Sequence, residues 1–506
     1  MGKLEILVVG GGPSAVAAIC AIVDQAIAGD VCRKVRVTVV ERGGEAFRGL
    51  AFGTEDDGHL TNMPAHSLRI PPREPHDFLK WGVEHGHVST FAARGSVYVP
   101  RRVLGDYLAA RAMEACEVAE RHGLQIDLMG GDVVRLKRDG EGWTAELATG
   151  RTLRADQVLL TIGNLPSSRL RRLEGATGFI PHAWPARRLE AIPRDARVGV
   201  VGTSLTAIDV LATLESQEHE GPVTWGSRSG LLPRVRPDYD ADQEIRHLTP
   251  ERLQRLATAQ GRGLSLDQLF MLWSMDCVDA GLPVERIDFL RPDARDPAER
   301  LRDELAASGS PDLRFSLLRA ATENSAHAWR ALSPHAKRTF SKRWSTAFGA
   351  SAFPCPPRNG ARVLGWLESG RVSHPGQLAT GVDAVRACSK GFEMTYADGS
   401  VERVDWLIDA TGGGYELTAS GDPLIRGLLA DGHLRAHPFG GGDVDFETGA
   451  VIGRDGRVAR DLHLIGAQTR GVHFFTNSLE KNALAACAAV RSIFRPQRQA
   501  RRLAVA

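Results

Sequence analysis

Apolar and polar positions follow two rhythms along this chain. In the first, a short apolar run breaks at glycine and resumes at helical spacing. LEILVV (4–9) breaks into GGGPSAVAAI, and Val16, Ile19, Ile22 and Val23 then recur as one face of a helix. A second apolar run, VRVTVV, ends at Glu41. The predicted order is strand, tight turn, helix, strand. RVGVVGTSLTAIDVLATL (197–214) repeats it and leads into the strand PVTWGSRSG. The second rhythm is alternation with period two. Residues 131–164 alternate with turns at Asp139–Gly142 and Thr149–Arg151 and close in the buried run VLLTIG. Residues 381–412 do the same, with turns at Ser389–Gly391 and Asp398–Ser400, and close at Thr411-Gly412. One module, a glycine turn plus a β-meander, is therefore expected twice.

Other stretches fall between these modules. Residues 50–75 are rich in turn formers and read as loop, yet carry His59, Asn62, His66 and Arg69. Residues 98–122 read as an amphipathic helix (Val103, Tyr107, Leu108, Ala112) with Arg101 and Arg102 at its start. Cations there oppose the helix dipole, so the pair is either simply solvated or holds an anion. Residues 238–375 are polar and helix-like (LTPERLQRLA, LSLDQLFMLW, DPAERLRDELA, PHAKRTFSKRW), interrupted by Pro and Gly. Near the end, Leu462–Gly466 reads as a last strand. Asn477 and Ser478 then start a helix whose apolar face is Leu479, Ala483, Leu484, Ala486 and Val490. The expected fold class is α/β, with two Rossmann-like dinucleotide-binding domains carrying β-meanders and a helical insertion.

The chemistry sits in the turns. Gly10, Gly12 and Ala15 fit G-x-G-x-x-A. The first glycine permits the turn, the second lets backbone N–H groups approach a pyrophosphate, and the alanine lets the helix lie close to the sheet. The helix that opens at Pro13 and Ser14 offers the unpaired N–H groups of its first turn to the phosphates. Glu41 is placed to accept ribose hydroxyls. In the second turn Gly202, Ser204 and Ala207 fit G-x-S-x-x-A. Serine in the middle crowds the pyrophosphate, and its hydroxyl either bonds the ligand or caps the helix. After the next strand stand Ser227, Arg228 and Ser229 with no carboxylate. Arginine at this place accommodates the 2′-phosphate of NADP, so NADPH is expected rather than NADH.

Composition narrows the function further. Net charge is +2 over 506 residues, which gives no global argument for nucleic acid or membrane. The start MGKLEILVVG lacks a signal-peptide layout, and no apolar stretch is long enough to span a bilayer. The expectation is a cytoplasmic protein with a small-molecule substrate, with assembly as a homo-oligomer left open. The seven cysteines are scattered without C-x-x-C, which argues against a zinc site or a redox disulfide. No Ser-His-Asp set, paired carboxylates or metal cluster is evident, so no metal is expected.

Two dinucleotide motifs, two meanders and a closing strand-glycine-helix resemble the two-dinucleotide-binding flavoproteins. HLTNMPA (59–65) with YVPRRVLGDYL (98–108) resembles a bacterial branch of FAD/NAD(P)-binding monooxygenase-like proteins. The amino acid N-hydroxylases, including aspartate N-monooxygenases, lie near it. IDATGG (408–413) is similar to the A-T-G element of N-hydroxylases and of flavin-containing and Baeyer–Villiger monooxygenases. GFIPHAWP (178–185) does not keep the Baeyer–Villiger spacing, so ketone oxygenation is not expected. The resemblance implies FAD at the first site, NADPH at the second, and N-hydroxylation of an amine or amino acid by O2 through a flavin C4a-hydroperoxide. Alternatives are a flavin oxidoreductase without oxygen insertion and a non-catalytic nucleotide-binding regulator.

The candidate cofactor residues are Gly10, Gly12, Pro13, Ser14, Ala15, Glu41, Arg42, Leu60, Asn62, Met63, Arg102, Val134, Gly163, Thr411, Gly466 and Asn477, with Gly202, Ser204, Leu205, Thr206 and Arg228 for the nicotinamide nucleotide. Asn62 and His59 are the catalytic candidates beside the flavin. Arg69 and Lys481, with Arg102, are candidates for a substrate carboxylate. The expected domains are 1–170 with 405–506 for FAD, 171–237 with 376–404 for NADP, and a mostly helical insertion over 238–375.

Overall fold

The computed structural model describes residues 2–505 apart from 44–45, 71–73, 75, 90–96, 240–241, 292 and 294; beyond residue 495 only the helical backbone is described. Part of the expected 50–75 loop and of the 238–375 insertion therefore lies outside the described residues. The chain forms two compact units. One comprises Met1–Glu55, Pro64–Leu165 and Gly413–Ala506; the other comprises Asp56–Met63 and Pro166–Gly412.

The first unit is built on a six-stranded sheet. Its strands run, edge to edge, Ala450–Ile452, Val458–Leu464, Gln157–Leu160, Leu4–Val9, Val35–Glu41 and Gln125–Gly130. All neighbours are parallel except the first pair. Parallel strands are buried on both faces, which is why LEILVV and VRVTVV read as near-continuous apolar runs. The meander Val133–Asp139, Gly142–Leu147, Thr152–Ala155 packs with the sheet through Leu136, Trp143, Ala145, Val158, Leu160 and Leu462. The helix Pro13–Ala28 is buried through most of its length (Val16, Ile19 and Ile22 are fully inside) and packs against the helices Arg101–Arg121 and Leu479–Val505. Ala483, Ala486, Ala489 and Val490 form the buried face of that last helix. Leu484, expected on the same face, is instead 50% exposed. Its step of only one residue from Ala483 turns it about 100° away around a 3.6-residue helix.

The second unit holds a five-stranded, all-parallel sheet ordered Val372–Gln377, Val223–Ser227, Val198–Val201, Trp406–Asp409, Phe179–Ile180. The second meander, Val385–Ala387, Phe392–Thr395, Val401–Val404, packs with it through Phe392, Met394, Tyr396, Val201 and Leu407. The helix Leu205–Ser216 shares the sheet's other core with Leu301, Val363 and Trp366 from the insertion. The four helices read from the insertion sequence are present as Pro250–Gln260, Leu266–Asp279, Pro297–Ala307 and Pro334–Arg343. Thr249, Ser265, Asp296 and Ser333 cap them with side-chain bonds.

Three expected boundaries are corrected. Trp406–Asp409, expected in the first domain, pairs with Val198–Val201 in the second sheet. Val372–Gln377, partly placed in the insertion, is an edge strand bonded to Val223–Ser227. Asp56–Met63 belongs to the second unit. In each case hydrogen-bond partners distant in sequence, which local periodicity does not encode, made the choice.

Candidate functional site

In the first unit the Leu4–Val9 strand enters a turn at Gly10, whose φ is +98°. A Cβ there would stand 2.5 Å from the Thr161 carbonyl oxygen. Gly10 is therefore demanded by the fold itself. Thr161 braces the same turn, its hydroxyl donating to the Gly10 carbonyl at 2.7 Å. Gly12 differs. It is the N-cap of the helix Pro13–Ala28, with φ −81° and ψ −167°, a conformation open to any residue. A Cβ on it would meet only Gly49 Cα, at 3.7 Å. Among the described residues nothing requires glycine there, and no side chain caps the helix. The small residue leaves a cradle over unpaired helix N–H groups, which fits a pyrophosphate.

Glu41 ends the neighbouring strand. Its Oε2 accepts from Gly11 N at 2.5 Å and its Oε1 from Gly43 N at 2.7 Å. The carboxylate expected to receive ribose hydroxyls thus also fixes the glycine turn. Gly466 follows the Val458–Leu464 strand with φ +89°, and a Cβ on it would lie 3.2 Å from Ser14 Oγ. The closing glycine and the first turn of the helix Pro13–Ala28 are side by side. Gln468, fully buried, donates from Nε2 to the carbonyls of Gly163 and Gly414, both at 3.2 Å. Asn477 donates to the Tyr415 hydroxyl at 3.1 Å, and the Arg470 guanidinium lies 4.9 Å from the Tyr415 ring centre. These groups follow the carboxyl ends of their strands, where open α/β sheets bind ligands.

The second unit repeats the turn. Gly202 has φ +119°, and a Cβ there would overlap the Ala410 carbonyl. Ala410 and Thr161 thus hold equivalent places, each just past the strand beside its glycine turn. Ser204 occupies the Gly12 position as N-cap of Leu205–Ser216, is exposed, and makes no side-chain cap bond. Among the described residues its hydroxyl caps no N–H of that helix. Thr411 N donates to Asp409 Oδ1 at 2.9 Å, and its hydroxyl lies 3.1 Å from Ser167 Oγ. Burial raises the Asp409 carboxyl above the usual carboxylate range. Arg228 is exposed, and its Nη2 donates to Thr346 Oγ1 at 3.0 Å. Ser227 is less available than its neighbour: its Oγ lies 2.8 Å from Thr203 Oγ1 and accepts from Gly230 N at 3.1 Å.

Several expected roles are corrected. His59, a catalytic candidate, is 1% exposed, and its Nε2 reaches the Asp209 carbonyl at 3.1 Å and Thr213 Oγ1 at 2.9 Å. Its ring packs edge-on to Trp184. It is a satisfied buried imidazole that fastens the Asp56–Met63 stretch to the helix Leu205–Ser216. Leu60 is buried in that stretch, with Asn62 and Met63 half-buried. Arg69, a substrate candidate, gives Nε and Nη2 to Glu480 Oε1 at 3.0 and 2.7 Å. Its charge is already met. Arg42, expected at the cofactor, is held by Asp422 at 3.0 Å and Asp132 at 3.3 Å. Lys481 lies with Nζ 5.4 Å from the Phe475 ring centre. Arg102 is the second residue of the helix Arg101–Arg121, and Val134 lies half-buried in the first meander. The sequence reading did not single out Tyr415, Gln468 or Arg470. Their one local signal is their place in loops after strands that end in glycine.

A family model described as FAD-NAD(P)-binding matches residues 7–165. No curated protein matches the chain. Among solved structures, the chain is similar to a reduced ornithine hydroxylase from Pseudomonas aeruginosa, at 16% identity and TM-score 0.58, covering 98% of this chain and 99% of that one. It is similar to an L-lysine 6-monooxygenase from Pseudomonas syringae at 15% identity and TM-score 0.58, covering 98% and 100%. It is also similar to an FAD-bound cadaverine monooxygenase from Erwinia amylovora at 12% identity and TM-score 0.52, covering 98% and 95%. At this identity the shared property is the fold: the chain has the two-module α/β fold of these flavoproteins over nearly its whole length.

Proposed function

We propose that this protein is an FAD-dependent, NADPH-using monooxygenase that N-hydroxylates an amine or amino acid. The observation that carries the reading is the pair of equivalent glycine turns, each opening a helix that no side chain caps, one bounded by an acid and the other by an arginine. Gly10, Gly12, Ser14, Glu41 and Gly466 would hold the flavin nucleotide. Gly202, Ser204, Leu205, Thr206 and Arg228 would hold NADPH. Bound FAD would supply the redox and oxygen-activating chemistry. The chain's own part is to bind, orient and exclude water. The helix starts at Pro13 and Leu205 would face the two pyrophosphates with their N–H groups. Arg228, exposed and without a carboxylate partner among the described residues, would select the 2′-phosphate. The names of the three structures above, an ornithine hydroxylase, an L-lysine 6-monooxygenase and a cadaverine monooxygenase, support the reaction class.

The test is purified protein with NADPH, O2 and a panel of amines and amino acids. The expected result is a flavin spectrum and one hydroxylamine product per NADPH oxidised. NADPH oxidation that yields only peroxide with every compound would mark an oxidoreductase without oxygen insertion. Protein that never binds flavin would mark a nucleotide-binding regulator. Either outcome overturns the proposal.

A further inference from the structure

Arg470 is half-buried, and its guanidinium lies over the face of Tyr415. Among the described residues no hydrogen bond and no ion pair meets its N–H groups. The half-buried Arg36, Arg48, Arg69 and Arg111 of the same unit differ, each having a carboxylate partner. A partly desolvated cation is costly unless something satisfies it. The position is also rigid. Gly471 N, next in the chain, donates to the Gly440 carbonyl at 2.8 Å, and Gly441 N donates to the Tyr415 carbonyl at 2.6 Å. One glycine turn therefore pins both the arginine and the ring beneath it. A Cβ at Gly471 would collide with His437, so the backbone has no room to shift. Around the ring lie the Asn477 amide, bonded to the Tyr415 hydroxyl, and Asn164, whose Oδ1 and the same hydroxyl both lie close to Gly413. Arg470 opens the short helix Arg470–His473 in the segment that starts at Gly466, the glycine beside Ser14 on the helix Pro13–Ala28.

We infer that Arg470 is the anchor for a substrate carboxylate, with the Tyr415 face fixing the guanidinium plane and Asn477 supplying a polar rim. This rests on the N-hydroxylation reading and deepens it: the substrate is an amino acid rather than a simple amine. Stacking leaves the edge of the planar fork open, and a carboxylate takes that edge through two parallel charge-assisted bonds. Arg69, the earlier candidate, cannot take this role while Glu480 holds it.

The experiment uses matched pairs that differ only in the α-carboxylate: L-lysine and cadaverine, L-ornithine and putrescine, L-aspartate and β-alanine. Wild type should favour the amino acid of the productive pair. Arg470→Gln should raise KM for that amino acid roughly tenfold to a hundredfold, with flavin content, substrate-free NADPH oxidation and kcat/KM for the paired amine unchanged. Arg470→Lys should recover only part of the loss. Equal turnover of both members by wild type, or equal loss on both in Arg470→Gln, overturns the anchor. If no pair gives a hydroxylamine, the reaction class fails instead. Perturbation of the flavin spectrum by the same carboxylates, compared between wild type and Arg470→Gln, then still decides the anchor: identical titrations overturn it.

Discussion

Acid should loosen the first unit through one histidine. His463 lies on the Val458–Leu464 strand, 1% exposed, with Nε2 3.1 Å from Ser492 Oγ on the last helix. Ser492 gives its own proton to the Ala489 carbonyl at 2.7 Å. His463 must therefore donate from Nε2, and its Nδ1 lone pair is buried without a partner among the described residues. Protonating Nδ1 would bury a charge and an unmet N–H. Burial pushes the imidazole down from 6.5 to about 4. The folded value is depressed, so the unfolded chain binds the extra proton. The stabilisation is complete above the unfolded value and is lost as pH falls from 6.5 to about 4. At about 1.4 kcal/mol per pH unit, the whole interval is worth roughly 3 kcal/mol, a sizeable share of the ~5–15 kcal/mol of a typical protein. His463→Leu keeps an apolar side chain in the site and leaves Ser492 bonded to Ala489, so it should remove most of that pH dependence. Hydrogen exchange in peptides spanning 458–464, corrected for intrinsic rates, measures it. Opening free energies that fall in parallel in wild type and His463→Leu between neutral pH and pH about 4.5 would refute the reasoning.

The two glycines of the first turn should separate fold from ligand. Gly10→Ala places a side chain at positive φ against Thr161 and should cost at least about 1–3 kcal/mol of stability by thermal melting. Gly12→Val should melt like wild type when flavin-free but lose FAD on purification; retention of tight yellow cofactor would contradict the cradle. Arg228→Ala should raise the NADPH requirement in stopped-flow flavin reduction roughly tenfold to a hundredfold, from a lost charge-assisted contact of ~1.5–3 kcal/mol, and leave NADH nearly unchanged. The cysteines are free, with burial pushing the Cys277 and Cys355 thiols up to about 12. Single Cys→Ser variants should therefore reduce flavin at near wild-type rates, and a thiolate-to-flavin charge-transfer band in wild type would count against this.

The sequence by itself determined the modules. Apolar runs ending in Gly10 and Gly202 mark strands buried on both faces, and period-two stretches with Gly and Asp turns mark the meanders. Polar, helix-like stretches between Pro and Gly breaks mark the insertion helices, which the structure shows capped at Ser265 and Asp296. These signals are local, carried by residues within a few positions of each other. They even separate the turn glycine from the cradle glycine, since each place in G-x-G-x-x-A has its own steric demand.

The tertiary structure decided which groups are available. His59, Arg69 and Arg42 read as free chemistry in a polar loop or at a strand end. Their charge or hydrogen bonds are met by Asp209, Glu480 and Asp422, which lie 150, 411 and 380 positions away along the chain. Arg470 is passed over in the sequence, and only the folded unit sets its guanidinium over the Tyr415 ring with no ion pair among the described residues. A polar side chain is functional or structural according to whether the folded chain supplies its partner. That partner is chosen by sheet order and loop crossing, which no window of sequence contains.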